Sequence, residues 1–313
     1  MNPSVTVFAP SPVLRVLVEP SASGDVEIHL HPGGQGVWVA RMAAHLGARV
    51  RLCLPLGGEP GTAVEALLRA EGLEPHVVRT AGPSATAVLD HRGHEGEPDA
   101  ERAERVAAST ATLTRHEVDD LFSTTVTSAL DSGVLVLTGP EHERVLSADV
   151  FGRLAADARG QGTRVVADLS GQALEHALEG GVDVLKIAHD ELPGDGEAEA
   201  GDVAELMRRA GRLRERGAGT VLVTRAAQEP LVLTGAGAHR LEVPSFTAVQ
   251  FRGAGDSMSG AVAARLAQGA DELTAIRTAA AAGAVNVTRQ GYGTGTAEAV
   301  EAVAQRVQVH RLD

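Results

Sequence analysis

What most restricts the fold of this chain is a set of short runs that are apolar at nearly every position, of which Val134-Leu135-Val136-Leu137 is the clearest. A strand with one wet face alternates apolar and polar residues, whereas one covered on both faces does not. Related strand signals lie at Val5–Phe8, Val50–Pro55, Val134–Thr138, Arg164–Asp168, Val182–Ile187 and Thr220–Thr224. Helical patterns fall at Gln35–Leu46, Thr62–Ala70, Arg115–Ser128, Leu146–Gly160, Asp202–Arg216, Asp256–Gln268 and Leu273–Val287. Thr114-Arg115-His116-Glu117 reads as a capping box opening the third of these. The β-α alternation predicts a mostly parallel sheet with right-handed crossovers. Aromatic residues make up only 2% of the 313 positions, so Ala, Val and Leu must fill the core.

Two stretches break the rhythm. Arg15–His31 alternates around Ser23-Gly24-Asp25, and Ala85–Val106 begins as a strand but becomes charged from Asp99 to Arg105. They read either as short strands projecting from the sheet, forming a lid near residues 13–32 and 85–106, or as solvated loops. His29, His31, His91 and His94 fall within them without carboxylate or cysteine spacing, so no transition metal is expected. The net charge of −13 without a basic run disfavours nucleic acid and anionic membranes as partners. No apolar run reaches the roughly 18 residues of a membrane span. Cys53 is the only cysteine, which excludes an internal disulfide and a cysteine zinc site. Met1-Asn2-Pro3-Ser4 lacks the pattern of a secretory signal, and a cytoplasmic protein is expected.

The strongest chemical signal is Arg252-Gly253-Ala254-Gly255-Asp256-Ser257-Met258-Ser259-Gly260, predicted to follow a strand near Phe246–Gln250 and to open an alanine-rich helix. Small residues let a ligand approach the backbone, and a helix start presents amide N–H groups without partners. Such a cradle suits the charge spread over a phosphoryl group in transfer, with Asp256 placed to accept a hydroxyl proton. The helix terminus is expected to keep Asp256 ionised. An ordinary glycine-aspartate helix start has the same appearance. A dinucleotide fingerprint fits worse, because its acid lies about 20 residues after the glycines; a Walker A loop is absent. A second motif, Pro32-Gly33-Gly34-Gln35-Gly36-Val37-Trp38-Val39-Ala40-Arg41, lets a small polar substrate lie against the backbone or simply makes a tight turn.

In this order and spacing the two motifs resemble those of the ribokinase-like (PfkB) carbohydrate kinases, nearest the 1-phosphofructokinase and tagatose-6-phosphate kinase branch. The resemblance runs from Val5 to about Val307. It implies a single domain over residues 1–313 with a three-layer α/β/α sandwich, a mostly parallel central sheet and a small β-strand lid. It further implies phosphoryl transfer from ATP, with Mg²⁺, to a hydroxyl of a sugar or hexose-phosphate-like acceptor, and a homodimer formed through lid strands. By resemblance, Asp256 is the catalytic base, and Gly253, Ala254 and Gly255 form the anion hole. Gly33, Gly34, Gln35, Trp38 and Arg105 fall on the substrate side. Lys186, Thr224, Gly283 and Asn286 fall on the nucleotide side, while Glu191 organises magnesium through water. Lys186 is the only lysine among 28 basic residues; the other 27 are arginine.

The departures are concentrated on the substrate side. Ala9 and Val13 stand where the family carries Asn and Asp, Trp38 replaces Asn, and Gln35 stands where Lys is frequent. Ala188 replaces the Asn that accompanies the glutamate, and Phe251-Arg252 replaces Thr-Val. The loop Arg225–Pro230 lacks the family's glycines. Loss of buried polar partners changes what a site discriminates. Two further readings follow: a ligand-binding or regulatory protein derived from such kinases, and a kinase for another ring substrate such as a nucleoside. An unrelated dehydrogenase would carry its glycine fingerprint where Ala9-Pro10-Ser11-Pro12 stands.

Overall fold

A computed structural model describes residues 3–21, 23–92, 104–196, 198–289 and 291–312, with the side chains of Glu104 and Arg105 outside the description. The N-terminal half contains β1 (Ser4–Phe8), β2 (Val13–Pro20), β3 (Val26–Gly33), α1 (Gln35–His45), β4 (Arg49–Leu56), α2 (Gly58–Ala70), β5 (Glu74–Arg79), β6 (Ala85–Asp90) and β7 (Glu104–Ala108). Next come α3 (Arg115–Leu130), β8 (Val134–Thr138), α4 (Asp149–Gly160), β9 (Arg164–Asp168), α5 (Gly171–Gly180), β10 (Val182–Ala188) and α6 (Val203–Glu215). The chain ends with β11 (Ala218–Arg225), β12 (Gln228–Thr234), β13 (Gly237–Glu242), α7 (Ala254–Ala267), α8 (Glu272–Asn286), α9 (Ala297–Ala304) and β14 (Gln308–Arg311).

Ten strands form the main sheet in the order β14-β13-β12-β11-β10-β9-β8-β1-β4-β5. Every pairing from β11 to β5 is parallel, and the β11–β14 edge is antiparallel. Successive residues on the parallel strands feed opposite cores, as the two-residue period requires. Val134 and Val136 pack with α1, α7 and α8, while Leu135 and Leu137 pack with α3, α4 and α5. The expected three-layer architecture is therefore present, and its two cores explain the runs without polar positions. A second sheet, β3-β2-β6-β7, occupies the stretches that broke the rhythm. His94 and most of the charged run from Asp99 lie outside the described residues.

The strand expected at Phe246–Gln250 is absent. Residues 243–250 form a loop whose Val249 and Gln250 amides both donate to the Val287 carbonyl, at 2.7 and 3.1 Å. Phe246 and Val249 are exposed, so strand-forming side chains without a neighbouring strand make no sheet. Strands β5, β12, β13 and β14 and helices α5 and α9 were not anticipated from the sequence. The Arg225–Pro230 stretch proves to be a tight β11–β12 turn, with Ala226 at φ 50° and buried Arg225 donating to the carbonyls of Glu229 and Ala200. No helix among the described residues is long and apolar enough to cross a membrane.

Two of the few aromatic residues, Phe8 and Phe151, meet edge to face at 5.5 Å, both fully buried in the core beneath α3–α6. Replacing Phe151 with alanine should cost about 3–5 kcal/mol of stability. Urea unfolding measures it, and a loss below about 1 kcal/mol would show that this core is not close-packed.

Candidate active site

The C-terminal ends of β8, β9 and β10 face the N-terminus of α7, and the candidate residues converge there. Helix α7 opens at Ala254, two residues earlier than the sequence pattern placed it, so Asp256 is the third helical residue. The preceding Gly253 has φ 82°, in the left-handed region. A Cβ on it would also lie 3.1 Å from both the Gly293 amide nitrogen and Tyr292 Cα, so conformation and space both require glycine. The first-turn amides have no acceptor within the helix, an arrangement that suits an anion, and the Ala254 amide makes only a long 3.4 Å hydrogen bond to the Phe251 carbonyl.

Lys186, at the end of β10, is buried, and its Nζ lies 2.7 Å from Asp168 Oδ1 at the end of β9. Asp168 Oδ2 accepts a 2.7 Å hydrogen bond from Ser259, one turn beyond Asp256 on α7. A Cβ on Gly255 would come within 2.9 Å of Lys186 Nζ. Gly255 is therefore small because the ammonium sits against it, beside the amide cradle. Burial pulls the Lys186 pKa down, but the charges of Asp168 and Asp256, aided by Glu191, outweigh it and hold the pKa above its ordinary value.

Asp256 behaves contrary to the helix-terminus expectation. Burial first, then the nearby charge of Asp168, push its pKa up to about 7, with Lys186 opposing them. Desolvation and a like charge here outweigh the helix dipole, whose effect is modest. Asp168 was missed in the sequence although it ends a recognised strand; a carboxylate at the C-terminal end of a parallel strand is the signal that could have found it.

A cavity of about 740 Å³ opens beside Asp168, walled also by Gln35, Gly139, Glu141, Ser170 and Glu191 among others. Gln35 ties strand ends together: Gly139 N donates to its Oε1 at 2.8 Å, and its Nε2 donates to the Asp168 carbonyl at 3.4 Å. Glu191 is exposed on the cavity wall, and one of its oxygens accepts from the Ala188 amide at 3.1 Å. The backbone thus anchors the glutamate where a side-chain amide is missing.

Other expected residues sit differently. Asn286 is fully buried; its Oδ1 accepts from Ser257 Oγ and Thr294 N, and its Nδ2 donates to the Arg252 carbonyl. It clamps the Gly253 turn to the 291–294 loop. Gly283 packs closely, since a Cβ there would meet Met258 at 3.0 Å. Both therefore sit on the face of α8 that packs on α7, and any part in nucleotide binding would be through that packing. Thr224 lies half-buried at the end of β11, and Arg105 lies on β7. Gly34, at φ 101°, allows the turn against the Ser11 carbonyl. Gly33 faces the Arg15 side chain, whose Cδ would lie 2.8 Å from a Cβ there. Trp38 stacks on Tyr292, with ring centroids 4.7 Å apart.

Comparison with known proteins places the fold in a family. The pattern of the pfkB family carbohydrate kinases matches residues 13–299. The chain is 28% identical over 302 residues to an ATP-dependent 6-phosphofructokinase isozyme 2 of Mycobacterium tuberculosis, covering 96% of this chain and 86% of that protein. It is 30% identical over 286 residues to a 1-phosphofructokinase of Rhodobacter capsulatus, covering 90% and 87% respectively. The structure of phosphofructokinase-2 from Escherichia coli in complex with potassium superposes with a TM-score of 0.81 at 25% identity, covering 98% of this chain and 99% of that one. With its ribokinase-like α/β architecture and a family match spanning most of its length, the chain belongs to the pfkB family of carbohydrate kinases.

Proposed function

We propose that the chain acts as one catalytic unit that transfers the terminal phosphoryl group of ATP to a hydroxyl of a sugar phosphate, with Asp256 receiving the hydroxyl proton. The observation that carries this reading is the conjunction of the half-buried Asp256 carboxylate, the helix-terminal amides and the buried Lys186, joined to a cavity through Asp168 on its wall. The amides of Gly253, Ala254 and Gly255 and the Lys186 ammonium face charge that grows on the phosphoryl oxygens, while Asp256 orients the attacking hydroxyl. A carboxyl poised near neutrality matches proton acceptance better than a strongly acidic one. The relatives named phosphofructokinases support a phosphorylated hexose as acceptor.

Among the described residues, no three His, Cys, Asp or Glu side chains converge closely enough to hold a metal by themselves. That fits Mg²⁺, which keeps several waters and relies on nucleotide phosphates. Glu191 is the wall carboxylate that would hold those waters, and bound magnesium would neutralise phosphate charge. Thr224 stays on the proposed nucleotide side.

The second sheet is proposed to be the lid, with its outer face as a dimer contact. Leu30, Val16, Val88 and Val106 stand in one row across all four strands. Val26, Ile28, Leu30 and Val106 are 46–65% exposed, an apolar surface that a second copy would cover.

Four outcomes test these readings. Asp256→Asn should lower kcat at least about 10³-fold in an ADP-release assay while leaving the circular dichroism unchanged, and near-normal turnover would refute the role of Asp256. In the wild type, kcat/KM should fall about tenfold per pH unit below about 7, because the protonated carboxyl accepts nothing. Asp168→Asn should shift that limb to lower pH, since removing a like charge eases ionisation; a limb fixed near pH 4 in both proteins contradicts the account. Ile28→Glu should convert a dimer of about 65 kDa, twice the 32.3 kDa chain, into a monomer in light scattering. A wild type already monomeric excludes the lid contact.

A further inference from the structure

We propose that Arg15 is a latch: it fastens the lid to the body in the place the acceptor must occupy, so that acceptors are selected by their ability to displace it. The proposal rests on the kinase reading above and adds a residue that sets its acceptor preference.

Arg15 belongs to β2 of the lid, whereas Trp38 and Tyr292 belong to the body, on α1 and on the loop beside Gly253. The Arg15 side chain is buried, its guanidinium 4.4 Å from the Tyr292 ring centroid and 5.7 Å from that of Trp38. Its Nη2 also donates to the Tyr292 hydroxyl at 3.0 Å. Its aliphatic stem covers Gly33, one of the two glycines that leave room for a substrate against the backbone. The three side chains thus fill the acceptor's side of the site as a compact triangle, with the guanidinium near both rings and the two rings stacked on each other. The same stack braces the catalytic helix. Tyr292 backs onto Gly253, Arg41 donates to the Tyr292 carbonyl at 2.6 Å, and Gly293 presses on the Trp38 backbone.

Two observations make this arrangement one of two states rather than a fixed core. Trp38 Nε1 is buried without a hydrogen-bond partner, a donor left unsatisfied that an acceptor oxygen would satisfy. A second cavity of about 450 Å³ borders Arg15, with Glu19, His31, Arg41, Glu71 and Tyr292 also on its wall. It gives the guanidinium room to swing toward the carboxylates of Glu19, which His91 contacts, and Glu71, which Arg41 holds, so that it would share those partners. A ligand with differential affinity for the swung state draws the equilibrium toward it. Displacing a buried cation–π contact lowers apparent acceptor affinity by about tenfold.

The test uses the full-length enzyme and exploits Trp38 as the only tryptophan. Fructose 6-phosphate and fructose 1-phosphate are titrated without nucleotide while indole emission is read. At least one should change the emission saturably, with a midpoint near its KM. Arg15→Ala should lower that KM several-fold up to about tenfold, leave the KM for ATP within twofold, and raise ATP hydrolysis in the absence of sugar. Tyr292→Phe, which removes the hydroxyl and keeps the ring, should move the same quantities in the same direction by less. Flat emission with both sugars, an unchanged acceptor KM in Arg15→Ala, or a KM that rises would each overturn the latch; a rise would make Arg15 a binding group instead. ADP release by the wild type reads the kinase function separately, so loss of the latch is distinguishable from loss of that function.

Discussion

Three ionisable groups share a space from which much of the water is excluded, and the rest of the molecule is arranged around that constraint. Asp168 and Asp256 cannot both carry charge there cheaply, and Lys186 between them keeps the pair tolerable. The parallel sheet brings Asp168 and Lys186 to adjacent strand ends in register, and α7 enters with Asp256 in its first turn and Ser259 a turn later. Removing Lys186 would leave two like charges facing each other without compensation, whereas removing either aspartate leaves one ion pair with the lysine. The cost of burying them is offset by the wide apolar sandwich on either side.

This arrangement also explains the raised pKa of Asp256. A helix N-terminus alone would hold the carboxyl acidic, and a more acidic group would give the hydroxyl proton little reason to move. Burial and Asp168 lift it instead. The glycines of the motif then have distinct duties: Gly253 turns the chain, and Gly255 makes room for an ammonium.

Much of this was legible in the chain. Strands β8 and β9 fall where their apolar runs placed them, because two-sided burial leaves an unambiguous mark. The Thr114–Glu117 capping box forms as read. The Gly-Ala-Gly-Asp segment and the lone lysine do come together. What remained hidden depends on contacts distant in sequence. The glycine at Gly283 and the amide at Asn286 suit both a nucleotide and a helix interface, and only the packing of α8 on α7 reveals the second. Tyr292 carried no local signal at all; its partners lie more than 250 positions away on β2 and α1. The strand expected before the Gly-Ala-Gly-Asp segment failed because strand propensity needs a neighbour to pair with, and among the described residues none reaches 246–250.

The central claim, that burial and Asp168 hold the Asp256 carboxyl near neutrality, is tested most directly by its own titration. Carbon-13 NMR of enzyme labelled at aspartate carboxyls, with the Asp256 resonance assigned by its loss in an asparagine variant, gives that value without reference to turnover. The account predicts a midpoint near pH 7. A midpoint near 4, typical of a solvated aspartate, would contradict it.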